Sequence, residues 1–128
     1  MPDPTDTAEF LDSTITMPQP GTAVLVVQGE IDTLTAPAFT TATAELVERP
    51  EETLVIDLTG VRFLASTGLA VLITAAHRAE ERGIRLCLVV STRAIRRPLE
   101  ITGTDQLFDL HPELNAALAP AIDPSRDG

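Results

Sequence analysis

The sequence predicts an α/β fold: one domain on a mostly parallel sheet of four to five strands, with an N-terminal hairpin and helices packed on the sheet. Apolar runs such as Thr22–Gln28, Leu54–Leu58 and Ile84–Val90 alternate with longer segments of helical periodicity. That alternation implies right-handed crossovers between parallel strands. Aromatics make up 3% of the chain, four Phe with neither Tyr nor Trp, so the core must be Val, Leu, Ile and Ala, which suits a sheet covered by helices. At 128 residues there is material for one sizeable core and no second domain.

Residues 1–10 and 120–128 combine Pro, Asp and Thr or Ser with little to bury and read as mobile tails around a domain at 11–119. Ser13–Met17 is a short first strand, Pro18-Gln19-Pro20-Gly21 a turn, and Thr22–Gln28 the second strand of the hairpin. Gly29–Thr35 then connects to a helix with Thr35 as N-cap and Pro37 in its first turn, where the missing N–H does no harm. Phe39, Ala42, Thr43 and Leu46 recur at helical spacing as its inward face, and Pro50 ends it. The Leu54–Leu58 strand leads through a loop at Thr59–Thr67 into a long helix from Ser66 to Arg82. Leu69, Leu72, Ile73 and Ala76 form its stripe, and Gly83 closes it. After the Ile84–Val90 strand, Ser91 or Thr92 caps a helix through Ile101. Pro98 predicts a kink or a late start there, because an interior proline costs roughly 3 kcal/mol. A strand at Leu107–Leu110 and a helix at Pro112–Leu118 complete the chain.

The net charge of −10 gives the domain an acidic field, whereas nucleic acid and anionic membranes both demand a positive footprint. All nine basic residues are Arg. The absence of Lys removes phosphate-loop, Schiff-base and receiver-domain chemistry. Cys87 stands alone in an apolar run and reads as a small buried hydrophobe, which excludes a disulfide framework and a Cys-based metal site. The N-terminus does not read as a signal peptide and no apolar run is long enough to span a bilayer, so a cytoplasmic location is expected. No cluster has metal-ligand spacing and no glycine pattern cradles a nucleotide, so no cofactor is expected.

Binding loops gather at the carboxyl ends of parallel strands, which brings Asp32 and Ser66 to one edge of the domain. Leu64-Ala65-Ser66-Thr67-Gly68 approaches the G-x-S-x-G nucleophile elbow, but Leu64 occupies the first glycine position. His77 lies well along the helix from Ser66, and His111, at the start of the C-terminal helix, reads as a surface residue. A serine hydrolase therefore lacks its base. Asp57 ends a central strand as a receiver-domain acceptor would, but without a lysine it reads as a carboxylate that accepts backbone N–H bonds from the following loop. Ser66 heads an apolar helix, where unpaired N–H groups and the helix dipole favour an anion. It is either the N-cap or, if Thr67 supplies the cap, an exposed hydroxyl open to phosphorylation. Arg93, Arg96 and Arg97 form either a solvated helix face or a phosphate-reading surface.

Gly29-Glu30-Ile31-Asp32-Thr33-Leu34-Thr35-Ala36, Val55–Val61, Ala65-Ser66-Thr67-Gly68-Leu69, Arg96–Gly103 and Leu107-Phe108 follow one another as in the STAS family of bacterial anti-sigma factor antagonists, which the chain resembles from about Ser13 to Leu118. The resemblance implies a partner-switching regulator and not an enzyme. The family motif Asp-Ser-(Ser/Thr)-Gly-Leu carries the phosphoacceptor over to Ser66, with Thr67 as the alternative. The partner face it implies comprises Gly29, Glu30, Asp32, Thr33, Arg62, Ala65, Ser66, Thr67 and Leu69. The implied partners are an anti-sigma factor with a histidine-kinase-like ATPase fold, which is also the serine kinase, and a protein serine phosphatase. Phosphorylation adds about −1.5 to −2 charges. Two unit charges about 8 Å apart repel by roughly 2 kcal/mol at an effective dielectric of about 20, so a phosphate held near Asp32 in an interface would release the partner. Ala65 stands where the family usually has Asp. That departure supports a second reading: a STAS scaffold that is not phosphorylated, serving as accessory subunit of a transporter or sensory complex.

Overall fold

Strand order follows chain order. The computed structural model describes residues 11–118, so the expected tails and Ala119 lie outside the described residues. The elements are β1 (Leu11–Gln19), β2 (Thr22–Ile31), α1 (Ala36–Val47), β3 (Thr53–Leu64), α2 (Ser66–Glu81), β4 (Arg85–Val89), α3 (Arg93–Thr102), a 3-10 turn (Thr104–Leu107), β5 (Asp109–His111) and α4 (Leu114–Leu118). They form a five-stranded sheet in the order β1-β2-β3-β4-β5, with β1 antiparallel to β2 and every other pair parallel.

Successive right-handed crossovers that always step the same way must place their helices on the same face of the sheet. Accordingly Phe39 and Leu46 of α1, Leu69 and Leu72 of α2, and Ile95 and Leu99 of α3 share one core with Leu25, Ile56 and Leu88. The opposite face carries a smaller cluster, Val24, Val55, Cys87 and Val89, covered by Leu114, Ala117 and Leu118 of α4. Cys87 is buried there, as its neighbours predict.

Several boundaries differ from the sequence reading, and the largest difference shapes the edge that carries Asp32 and Ser66. The expected Gly29–Thr35 loop begins only after Ile31, where β2 ends, and most of the expected Thr59–Thr67 loop is strand, since β3 runs on to Leu64. Two bulges explain why this was hidden. Val26 pairs with Asp57 but Gln28 with Gly60, and Gly29 pairs with Val61 but Glu30 with Phe63. Each shift inserts an extra residue into β3, so its buried side chains, Leu58, Val61 and Leu64, recur every third position and not every second. Gly29 sits at φ +116 beside the second bulge, a conformation open to glycine at little cost.

β1 is longer than expected and the Leu107–Leu110 strand shifts to Asp109–His111, with a 3-10 turn before it. His111 therefore ends β5 and is half-buried; it does not start a helix. Pro98 does not delay α3, which begins at Arg93. Ala94, whose carbonyl would have accepted the missing N–H bond, is exposed to water. Thr92 is the N-cap residue of α3, without a side-chain capping bond.

Gly68 fixes how α2 enters the core. A Cβ there would lie 2.5 Å from Ile31 Cγ2 and 2.6 Å from Leu64 Cδ1, the last residues of β2 and β3. Gly68→Ala should therefore lower stability by about 1–2 kcal/mol even after the gain in helix propensity. Urea denaturation followed by circular dichroism checks this, and an unchanged midpoint would contradict the packing.

Candidate functional site

The Ala65 N–H donates to the Ile31 carbonyl oxygen at 2.8 Å. This bond ties the end of β3 to the end of β2, so Asp32 and Ser66, each one residue further on, leave the sheet at the same point. The edge reached in this way stands beyond β4, whose last rung pairs Val89 with Asp57.

On the β2 side, the Asp32–Thr35 turn is held by its own side chains. Asp32 Oδ1 accepts the N–H groups of Leu34 (2.9 Å) and Thr35 (3.0 Å). Thr35 Oγ1 donates to the Glu30 carbonyl oxygen at 2.7 Å and accepts the Asp32 N–H at 2.9 Å. Thr35 is the N-cap residue of α1, as expected, but its hydroxyl makes no capping bond; that oxygen is spent inside the turn. Asp32 thus sets the shape of the loop as well as its charge.

On the β3 side, Ala65 is the N-cap residue of α2, with φ −84 and ψ 169, and it has no side-chain oxygen to offer. Neither Ser66 nor Thr67 is the cap, contrary to both readings from the sequence. Ser66 is the first helical residue and is exposed. Thr67 Oγ1 is buried and has no hydrogen-bond partner. A helix start whose leading N–H groups no side chain satisfies, behind an exposed hydroxyl, suits an added anion.

The remaining expected residues divide by exposure. Thr33 and Arg62 are exposed, and Arg62 Nη2 lies 3.4 Å from Glu30 Oε2, an open ion pair of little energetic weight. Gly29 and Leu69 are buried, so they support the edge without presenting side chains. Two residues that sequence reasoning passed over stand out there: Leu34 is 68% exposed and Phe63 is 52% exposed. Leu34 sits in a polar loop with no periodic signal, and the bulge beside Glu30 turns Phe63 away from the core.

Asp57 Oδ1 accepts the Thr59 N–H at 2.9 Å and the side chain is buried, which matches the structural role expected of it. His77 is exposed along α2. Arg96 reaches the Val90 carbonyl oxygen at 3.5 Å, while its Nε is buried without a partner. The Glu51 carboxyl is held below its usual range through its hydrogen bond to Arg49. It precedes β3, at the opposite end of the sheet from Ser66. Among the described residues no group of His, Cys, Asp and Glu could hold a metal, and no helix is long and apolar enough to cross a membrane.

A single α/β domain with this strand order and a serine-headed α2 is the architecture of a STAS domain, and the STAS domain model matches residues 14–117. The chain belongs to the STAS family. It is 38% identical over 98 residues to anti-sigma-F factor antagonist RsfB of Mycobacterium tuberculosis, covering 77% of this chain and 80% of that protein. It superposes with a TM-score of 0.81 on the crystal structure of an anti-sigma factor antagonist from Mycobacterium paratuberculosis, at 35% identity over 90% of this chain and 97% of that one. The STAS domain of a SulP transporter from Vibrio cholerae shares the fold, with a TM-score of 0.66 at 21% identity over 88% of this chain and 89% of that one.

Replacing a capless alanine by a capping carboxylate should strengthen the start of α2. Ala65→Asp is expected to raise stability by about 1 kcal/mol, measured as a higher urea midpoint. An unchanged or lower midpoint would show that the Ala65 geometry does not admit a side-chain cap.

Proposed function

We propose that this chain is an anti-sigma factor antagonist that works by partner switching in the cytoplasm, with Ser66 as the phosphoacceptor. It is a binding regulator and not an enzyme. Unphosphorylated, it binds an anti-sigma factor whose histidine-kinase-like ATPase fold also makes it the serine kinase; phosphorylation at Ser66 releases it, and a protein serine phosphatase restores it. The observation that carries this reading is the contrast at the head of α2, where the Ser66 side chain is exposed and Thr67 Oγ1 is buried. A kinase can reach the first hydroxyl without unwinding the helix. The names of the relatives, anti-sigma factor antagonists at 38% and 35% identity, support the same class.

The electrostatics agree in sign. A dianion at Ser66 joins Asp32 and Glu30 at the same edge, in a protein of net charge −10. Desolvating it in an interface adds to that repulsion. On the free protein the same phosphate meets the positive end of α2 and is tolerated. The contact face comprises Asp32, Thr33, Arg62 and Ser66, with Leu34 and Phe63 as its apolar anchors.

Incubation with ATP and the anti-sigma factor kinase of the same organism should add one phosphate, seen by intact mass. The phosphate is lost in Ser66→Ala and kept in Thr67→Val. A phosphate that persists in Ser66→Ala overturns the site assignment. A wild-type protein that stays unmodified, while a transporter subunit captures it, would favour the constitutive scaffold that Ala65 suggests. Separately, the Leu34→Ser, Phe63→Ser double variant should weaken anti-sigma factor binding at least about tenfold with little change in the melting temperature. Binding as tight as wild type would remove these two anchors from the interface.

A further inference from the structure

The outer edge of β1 is open: β1 pairs with β2 on one side, and no described strand lies beyond it. Exposed edges are normally blunted by Lys, Pro, a bulge or a covering element. In this chain Lys is absent, and Pro18 and the bulge between Thr16 and Gln19 come only at the end of the strand. The stretch Ser13-Thr14-Ile15-Thr16-Met17 carries no charge and is rich in residues that favour strands. We propose that two copies of this chain pair through β1, antiparallel about Ile15, to join their sheets into one.

A second copy fits because the strand is self-complementary. A two-fold axis at Ile15 sets Thr14 opposite Thr16 of the other copy, Ser13 opposite Met17, and Asp12 opposite Pro18. No carboxylate then faces a carboxylate across this strand pair, although the chain carries a net charge of −10. Directly opposed Thr residues are favourable cross-strand neighbours. Ile15 is only partly buried against the main core and Met17 is 50% exposed, so the second copy covers apolar surface that one copy leaves open. The contact is isologous and closes at a dimer. An axis normal to the sheet points the two Ser66 edges in opposite directions, so both stay free, and the pairing does not depend on the proposed switch.

Sedimentation equilibrium from micromolar to millimolar protein tests this. Wild type should show a monomer–dimer equilibrium. Thr14 and Thr16 are exposed and pair with Val26 and Val24 on the face away from α1, so both positions should accept charge without unfolding the chain, which thermal melts check. The Thr14→Lys, Thr16→Lys variant opposes like charges at two positions and should weaken the dimer at least about tenfold. The Thr14→Lys, Thr16→Glu variant faces each ammonium with a carboxylate and should restore it. A wild type that stays monomeric throughout overturns the proposal, as does a dimer equally tight in both variants. If the wild type is monomeric and the double lysine variant loses anti-sigma factor binding, the edge belongs to that partner, which also overturns it.

Discussion

The hydrogen bond from the Ala65 N–H to the Ile31 carbonyl oxygen, 2.8 Å long, closes the end of the β2–β3 ladder, and the edge that carries Asp32 and Ser66 depends on it. Below it, β3 carries two bulges that keep Leu58, Val61 and Leu64 in the core while the strand advances past the end of β4. Above it, the Asp32 turn and the head of α2 start side by side. Gly68 allows this by letting α2 touch Ile31 and Leu64 at a distance no Cβ would permit. Loop, strand end and helix start are therefore one packed unit, and Ser66 is presented by the core and not by a flexible loop.

Ala65 gives that unit an unusual balance. With no carboxylate at the N-cap, the unphosphorylated helix start forgoes about 1 kcal/mol of capping. For the same reason its positive end is not already neutralised. Under the proposed function, a phosphate on Ser66 is favoured in the free protein by the helix terminus and opposed in the complex by Asp32, Glu30 and desolvation. The helix terminus lies beside the phosphate in both states, so repulsion and desolvation in the complex are what drive release, and the missing Asp weakens neither. The departure from the family motif is thus compatible with switching on electrostatic grounds.

The parallel α/β plan, the burial of Cys87 and most of the inward helix faces were legible because they rest on periodicity and composition. The exception is Ile73 of α2, which is only half-buried, while Ala75 and Ala79 face the core in addition to Leu69, Leu72 and Ala76. Val61 and Leu64 were not recognised as strand because, beyond Leu58, bulges convert an alternating pattern into one of every third residue. The same bulge conceals Phe63, which alternation from Val61 would have turned inward. Asp32 was legible as a charge at the edge but not as the acceptor that shapes its turn, since that role depends on where the Leu34 and Thr35 N–H groups point. The cap of α2 was assigned to a hydroxyl because hydroxyls usually provide it; here strand pairing reaches Leu64 and leaves only Ala65 for the position.

The central claim is that negative charge at Ser66 decides whether the partner stays bound. Titration calorimetry of the anti-sigma factor with the unmodified protein, and with protein phosphorylated stoichiometrically at Ser66, tests it directly. The account predicts that the phosphorylated form binds at least about a hundredfold more weakly, a difference of roughly 3 kcal/mol. Equal affinity of the two forms would contradict it.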